Sequence, residues 1–207
     1  QNGTFTDAQA FLPVSNSAIA VADLNNDGLE DFVISGTNTD ISTAVTYIYY
    51  NNGQGGFTQD NTQNIAGTRF GSIAIGDVNN DGVNEIVGAN SWGSIKVFSA
   101  QNKSQLASLE VFNTCTINVS NIDNDAADEI IIGDCQWGNI HAYNLVGTDL
   151  VQLWSVNMQD HGSKSVVIGD SDNDGKDEIH WSTGTSSSGE DSFIVADLTA
   201  STVTIKP

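Results

Sequence analysis

The chain has 207 residues and a mass of 21.9 kDa, enough for one large domain or two small ones with a sizeable core. Its 26 Asp and Glu against 6 Lys and Arg leave a net charge of −20, which excludes the basic stripe of a nucleic-acid binder and argues against an anionic membrane surface. Its apolar runs all fall short of the roughly 18 residues of a membrane helix, and 39% hydrophobic residues in regular short blocks argue against disorder. No signal peptide is visible at Gln1, as in a mature secreted protein or an excised domain.

In chain order, residues 4–12 read as a lone strand, with 1–13 forming an extra outer strand ahead of the first unit. Ile19 and Val21 then alternate with Ala18, Ala20 and Ala22, and the loop Asp23-Leu-Asn-Asn-Asp-Gly-Leu-Glu-Asp31 follows. Runs of strand character come next at Phe32–Ile34, Thr46–Tyr50 and Gly56–Thr58. The same succession returns around Asp77–Glu85, with Ile73 and Ile75 before it and Ile86–Val87, Ile95–Phe98 and Gln105–Val111 after it. It returns around Asn121–Glu129, flanked by Ile117 and Val119, Ile130–Ile132, Ile140–Tyr143 and Val151–Val156. It returns a fourth time around Asp170–Glu178, flanked by Val166 and Ile168, Ile179–Trp181, Phe193–Val195 and Ser201–Ile205.

The loops start at residues 23, 77, 121 and 170, in steps of 54, 44 and 49. A period near 50 with four β-branched runs per unit predicts an all-β fold, a β-propeller of four-stranded antiparallel blades. It forms a single repeat domain over 1–207, with units at about 14–65, 66–112, 113–160 and 161–207. The first strand is rich in small residues, Ala18, Ala20, Ala22, Ser72 and Ala74, which suits an inner strand crowded at the propeller axis. Four blades leave three architectures open: a small ring with a strap, half of a ring completed by self-association with a second copy, or part of a longer chain.

Each loop carries oxygen side chains at positions one, three and five and an acid at nine, with Gly at six in all but the third. That alternation suits a hard cation, and Gly permits the sharp bend. The expected Ca2+ ligands are Asp23, Asn25, Asp27, the Leu29 carbonyl and Asp31 in loop one, and Asp77, Asn79, Asp81, the Val83 carbonyl and Glu85 in loop two. Loop three offers Asn121, Asp123, Asp125, the Ala127 carbonyl and Glu129. Loop four offers Asp170, Asp172, Asp174, the Lys176 carbonyl and Glu178. Up to four Ca2+ per chain are expected. The EF-hand is excluded, because position twelve is Ile34, Gly88, Ile132 or Trp181 rather than Glu. An Asx-turn with a solvated acidic face explains any one loop, but four in register poorly. Loop three departs most, with Ala126 for Gly and Asn121 for Asp.

The motif Asp-x-Asn-x-Asp-Gly-x-x-Asp/Glu between two strands resembles the FG-GAP/VCBS repeat family, the calcium-binding blades of integrin α-subunits and of many secreted bacterial proteins. Phe70-Gly71 matches the Phe-Gly of that name, Asn51–Phe57 matches a turn that ends many such units, and Gln1–Phe5 echoes its end. The resemblance spans essentially the whole chain. It implies calcium and extracellular recognition, but no single ligand.

Cys115 and Cys135 lie symmetrically about residue 125, which places them directly opposite across a hairpin and predicts a disulfide; two buried thiols are the alternative. Trp92 and Trp137 fall in loops at the end of the blades opposite the acidic loops, either stacking on a ligand or packing between blades. Asp160-His161 is the one suggestive His pair; His141, His161 and His180 read as structural, and no catalytic constellation is recognisable. The expected function is therefore a non-catalytic, calcium-binding propeller for adhesion or recognition of an extracellular protein, in a secreted or cell-surface setting. The alternative is a lectin or carbohydrate-binding accessory domain with a glycan ligand. An enzyme ranks last. Neither nucleic acid nor membrane insertion is expected.

Overall fold

The computed structural model describes residues 13–60, 65, 67–90, 92–111, 113–123, 125–135, 139–156, 162–163, 165–183, 192–199 and 202–205. The described residues contain sixteen strands and no helix. They form four sheets of four antiparallel strands, each hydrogen-bonded in sequence order. Blade one is β1 (Val14–Ala22), β2 (Asp31–Asn38), β3 (Thr43–Asn51) and β4 (Phe57–Gln59). Blade two is β5 (Ser72–Gly76), β6 (Glu85–Ala89), β7 (Gly93–Ser99) and β8 (Gln105–Val111). Blade three is β9 (Thr114–Ser120), β10 (Glu129–Asp134), β11 (Ile140–Val146) and β12 (Asp149–Val156). Blade four is β13 (Ser165–Gly169), β14 (Glu178–Ser182), β15 (Phe193–Thr199) and β16 (Thr202–Ile205). The expected lone strand at 4–12 lies outside the described residues.

The second strand of each blade is the most deeply set. Every residue of β6 and of β10 is buried, which is why Glu-Ile-Val-Gly-Ala and Glu-Ile-Ile-Ile-Gly-Asp read as unbroken runs rather than alternations. Between blades the apolar side chains form three cores. Val33 and Ile48 of blade one meet Ile73, Ile86 and Phe98 of blade two. Val87, Ile95 and Val97 of blade two meet Ile117, Ile130 and Ile132 of blade three. Ile131, Ile140 and Trp154 of blade three meet Val166, Ile179 and Trp181 of blade four. At roughly 1.5–3 kcal/mol per buried large aliphatic or aromatic side chain, these junctions supply most of the favourable energy of the fold. First strands pack on first strands, β1 on β5, β5 on β9 and β9 on β13, so they form the inner row that their small residues suggest. Among the described residues β1 and β13 do not pack to a comparable extent, and the four sheets are not closed into a ring.

Junction one–two also holds a buried ion pair. Lys103 Nζ lies 2.5 Å from Asp60 Oδ2 and donates to the Tyr50 hydroxyl at 3.2 Å. Burial alone would lower the Lys103 pKa, but Asp60 and Tyr50 outweigh it and hold it above the usual lysine value.

Cys115 and Cys135 are disulfide-bonded, with Cα atoms 5.0 Å apart. The register differs from the symmetric expectation. Gly133 pairs with Thr116 and Asp134 with Thr114, so Cys115 is the extra residue of a β-bulge. Cys135 follows the end of β10 and donates its N–H to the Asn113 carbonyl at 2.8 Å. The bridge is therefore diagonal, not directly opposite.

Candidate metal centres

The four acidic loops connect the first and second strands of their blades, at 23–30, 77–84, 121–128 and 170–177. Their side chains wrap inward on their own backbone. In loop one Asp23 Oδ1 accepts the N–H groups of Asn25 and Asp27 at 3.3 and 3.2 Å, and its Oδ2 accepts that of Gly28 at 2.8 Å. Desolvation raises the Asp23 pKa, but these backbone donors prevail and hold it below the usual value. Asp77 of loop two and Asp170 of loop four repeat the pattern, each accepting from the residues at positions five and six. The position-three side chain of all four loops, Asn25, Asn79, Asp123 and Asp172, accepts the N–H of position five. The position-five aspartate of all four, Asp27, Asp81, Asp125 and Asp174, accepts the N–H of Leu29, Val83, Ala127 and Lys176 at 2.7–2.9 Å.

The turn needs left-handed backbone at two positions. Asn26, Asn80 and Asn173 have φ of 58°, 56° and 61°, and Gly28, Gly82 and Gly175 have φ of 83°, 83° and 86°. A Cβ on these glycines would meet nothing within 4 Å, so the demand for Gly is conformational, not spatial. Ala126 does not adopt a positive φ. Loop three turns differently, and the Asn121 amide donates to the Asp125 carbonyl at 2.6 Å. Asp123, Asp125 and Glu129 nonetheless present carboxylate oxygens within 4.8 Å of one another, as do Asp170, Asp172 and Asp174.

The position-nine acids are set apart. Asp31, Glu85, Glu129 and Glu178 open the second strands and are fully buried. Asp31 accepts the Leu24 N–H at 3.0 Å and the Asn51 N–H at 2.8 Å. Glu129 accepts the Ile122 N–H at 2.8 Å, and Glu178 accepts both the N–H and the hydroxyl of Ser171. Glu85 lacks such support. The Val78 and Asn79 amides lie near enough to favour its charge, yet among the described residues neither of its oxygens has a hydrogen-bond partner. Burial, followed by repulsion from Asp81 and Asp77, pushes its pKa up to about 7. Glu129 is pushed to about 7 by burial and then by Asp123, Asp125 and Asp128. One Glu129 oxygen also lacks a partner among the described residues. A carboxylate buried beside other carboxylates needs a proton or a cation.

Residues 23–88 match the FG-GAP-like repeat. That segment carries an FG-GAP-like repeat. The matched segment runs from the first residue of loop one through loop two and into β6, and loops three and four repeat its arrangement beyond it. A comparison with curated proteins gave no match. In the repeat, the Phe-Gly pair has a packing role: Phe70 is buried, its N–H donates to Ser35 Oγ at 2.8 Å, and its ring fills the space where a Cβ on Gly88 would stand.

Contacts between loops are not legible from the motif. The Asn26 amide donates to the Gly82 carbonyl at 2.6 Å, and the Asn84 amide to the Asp23 carbonyl at 2.7 Å. Asp128 Oδ2 accepts the Asp77 N–H at 3.0 Å. Position eight thus ties its loop to position one of the preceding loop at two junctions, a role that a polar residue between two motif positions does not announce.

Trp92 lies between β6 and β7, at the end of the blade away from the acidic loops, and is 70% exposed. Trp137, Asp160 and His161 lie outside the described residues. His141 is on β11 and His180 on β14, on different blades. Burial lowers the His141 pKa.

Proposed function

We propose that this chain is a calcium-stabilised, non-catalytic recognition domain of the cell exterior, each acidic loop holding one Ca2+. The observation that carries the reading is Glu85: a fully buried carboxylate, without a hydrogen-bond partner among the described residues, repelled by Asp81 and Asp77 of its own loop. Calcium takes 6–8 oxygens in flexible geometry, and a loop with carboxylate, amide and carbonyl donors fits that demand better than magnesium's rigid octahedron. Bound calcium supplies the positive charge that offsets the repulsion within each loop. The donors at positions one, three, five and nine, with the carbonyls of Leu29, Val83, Ala127 and Lys176, would hold it. The disulfide supports an oxidising compartment, and the FG-GAP repeat supports a role in recognition rather than catalysis. Isothermal titration after chelation tests this. Exothermic or endothermic binding saturating at three to four Ca2+ per chain, with a matching rise in melting temperature, is expected; no heat and no shift would refute it.

A second reading, carbohydrate binding, rests on a different observation. A cavity of about 230 Å3 is lined by Arg69, Phe70, Asn90, Gly93, Ser94 and Lys96, and the exposed Trp92 stands in the same loop. Arg69 and Lys96 are two of the six basic residues of a chain with net charge −20, which suits an acidic sugar. Binding of uronate-containing glycans on an array, abolished in Trp92→Ala, would favour this reading over protein recognition.

A further inference from the structure

Each blade has a forward face toward the following blade and a rear face toward the preceding one, and the chain makes three forward-on-rear junctions. The shared register makes positions comparable. Ile73, Ile117 and Val166 occupy one rear-face position of the first strand, paired with Gly88, Ile132 and Trp181, and each is buried in a junction. Blade one has Ile19 at that position, paired with Ile34, and it is 61% exposed; Val21, two residues on, is 59% exposed. The outer half of the same face is already buried, with Phe32 stacked on Tyr49 at 4.7 Å and edge-on to Phe57 at 5.0 Å. The exposed strip is thus the inner strand, the part through which the other blades meet.

The forward face of blade four is open in the same sense. Ile140, paired with Gly133 four residues after Glu129, is fully buried between blades three and four. Phe193, paired with Ser182 four residues after Glu178, is 70% exposed, and Val167 on the same face is 55% exposed. Gly76 and Gly169 pair with the buried acids Glu85 and Glu178. A Cβ on Gly76 would strike Val119 and Asp128 of the next blade at 2.3 and 2.5 Å, whereas one on Gly169 would meet nothing within 4 Å.

We infer that the two open faces join head to tail between two copies of this chain, the forward face of blade four on the rear face of blade one. The occupant follows from the sequence itself, which forms this type of junction three times already. Two copies then close through two identical junctions related by a two-fold axis, into a ring of eight blades. Ser171 and His180 stand on blade four where Leu24 and Val33 stand on blade one, so the new junction is wetter than the internal ones and the association depends on concentration.

Sedimentation equilibrium of the whole chain, in calcium at physiological ionic strength, is the test. A mass approaching twice 21.9 kDa with rising concentration is expected. Ile19→Asp and Phe193→Asp should each hold the chain at the monomer mass with an unchanged circular dichroism spectrum. Mixing the two variants should restore the dimer, because one junction then pairs an unaltered forward face with an unaltered rear face. Gly169→Val, which fills space that is open in a single copy, should give a folded monomer even if an aspartate variant fails to fold. A wild type that stays monomeric at every attainable concentration overturns the inference, whether blades one and four close on each other or residues 1–12 cover the rear face. A mixture of the two variants that stays monomeric overturns it as well.

Discussion

Replacing Glu85 by Gln separates a metal ligand from a carboxylate kept for structure. Burial and the neighbouring Asp81 and Asp77 raise its pKa from 4.5 to about 7. A carboxyl whose pKa is higher in the folded than in the unfolded state is bound more tightly as the neutral acid, so its ionisation destabilises the fold. That penalty is absent below pH 4.5, grows as the pH rises, and is complete above about pH 7. At about 1.4 kcal/mol per unit the full shift corresponds to roughly 3 kcal/mol. Water reaching the loop through its exposed aspartates reduces this, and we take about 2 kcal/mol. For a chain of this length that is roughly 4–8 °C in melting temperature. In chelator at pH 8, Glu85→Gln should therefore melt above the wild type, and the gap should vanish at pH 4. In saturating calcium the order should reverse, since the amide is a poorer ligand. The assay is differential scanning calorimetry of both proteins at two pH values, with and without calcium. A variant that melts below the wild type in chelator at pH 8, with an undiminished calcium shift, would show that Glu85 is structural and the metal reading of loop two wrong.

Three further outcomes are expected. Asp81→Ala removes the carboxylate that accepts the Val83 N–H at 2.9 Å, so it should weaken calcium binding about tenfold or more and raise protease sensitivity across residues 77–85, read by titration and limited proteolysis; partner binding at saturating calcium should change little. Reduction of Cys115–Cys135, twenty residues apart, should cost about 3 kcal/mol by the chain-entropy account, read by urea unfolding with and without reductant, and thiol titration of the untreated protein should find no free cysteine. Trp137→Ala should weaken any ligand while calcium affinity stays intact, read by paired ligand and calcium titrations; if Asp81→Ala abolishes partner binding in a folded protein instead, the metal bridges the ligand directly.

The blades were legible because their information is local. Alternation such as Ile73-Ala-Ile75 and runs such as Ile130-Ile-Ile132 state both strand and burial, and an acidic loop between them states a turn that recurs four times. What was not legible is what depends on exact register or distant partners. One inserted residue at the β9–β10 bulge shifts Cys115 off the symmetric pairing, and nothing in the cysteine spacing encodes a bulge. Lys103 and Asp60 come from different blades, and no periodicity links them. Ring closure is a sum of small inter-blade rotations, and the sequence pattern of one blade does not contain it.

The residue after the first ligand explains why a metal in these loops would matter to the whole chain. Leu24, Val78 and Ile122, at position two, are buried in the cores of junctions one–two, two–three and three–four respectively. The Leu24 and Ile122 N–H groups donate to the position-nine acids of their loops, Asp31 and Glu129. Loops one and three are therefore anchored on one side to the second strand of their own blade and on the other to the packing between blades, and loop two shares the second anchor through Val78. Strain from uncompensated carboxylates acts on both anchors, so calcium should tighten the junctions and not merely the turns. The position-two residue of loop four is Ser171, whose hydroxyl turns back to Glu178 at 2.7 Å and lies 3.0 Å from His180 Nε2. In that blade alone the anchor is polar, and among the described residues no other blade packs over it. Metal in loops one to three should then slow amide exchange in the second strands on both sides of each junction, whereas metal in loop four should protect blade four alone. Exchange that slows only within residues 23–31, 77–85 and 121–129 would show that the loops act locally and that this coupling is absent.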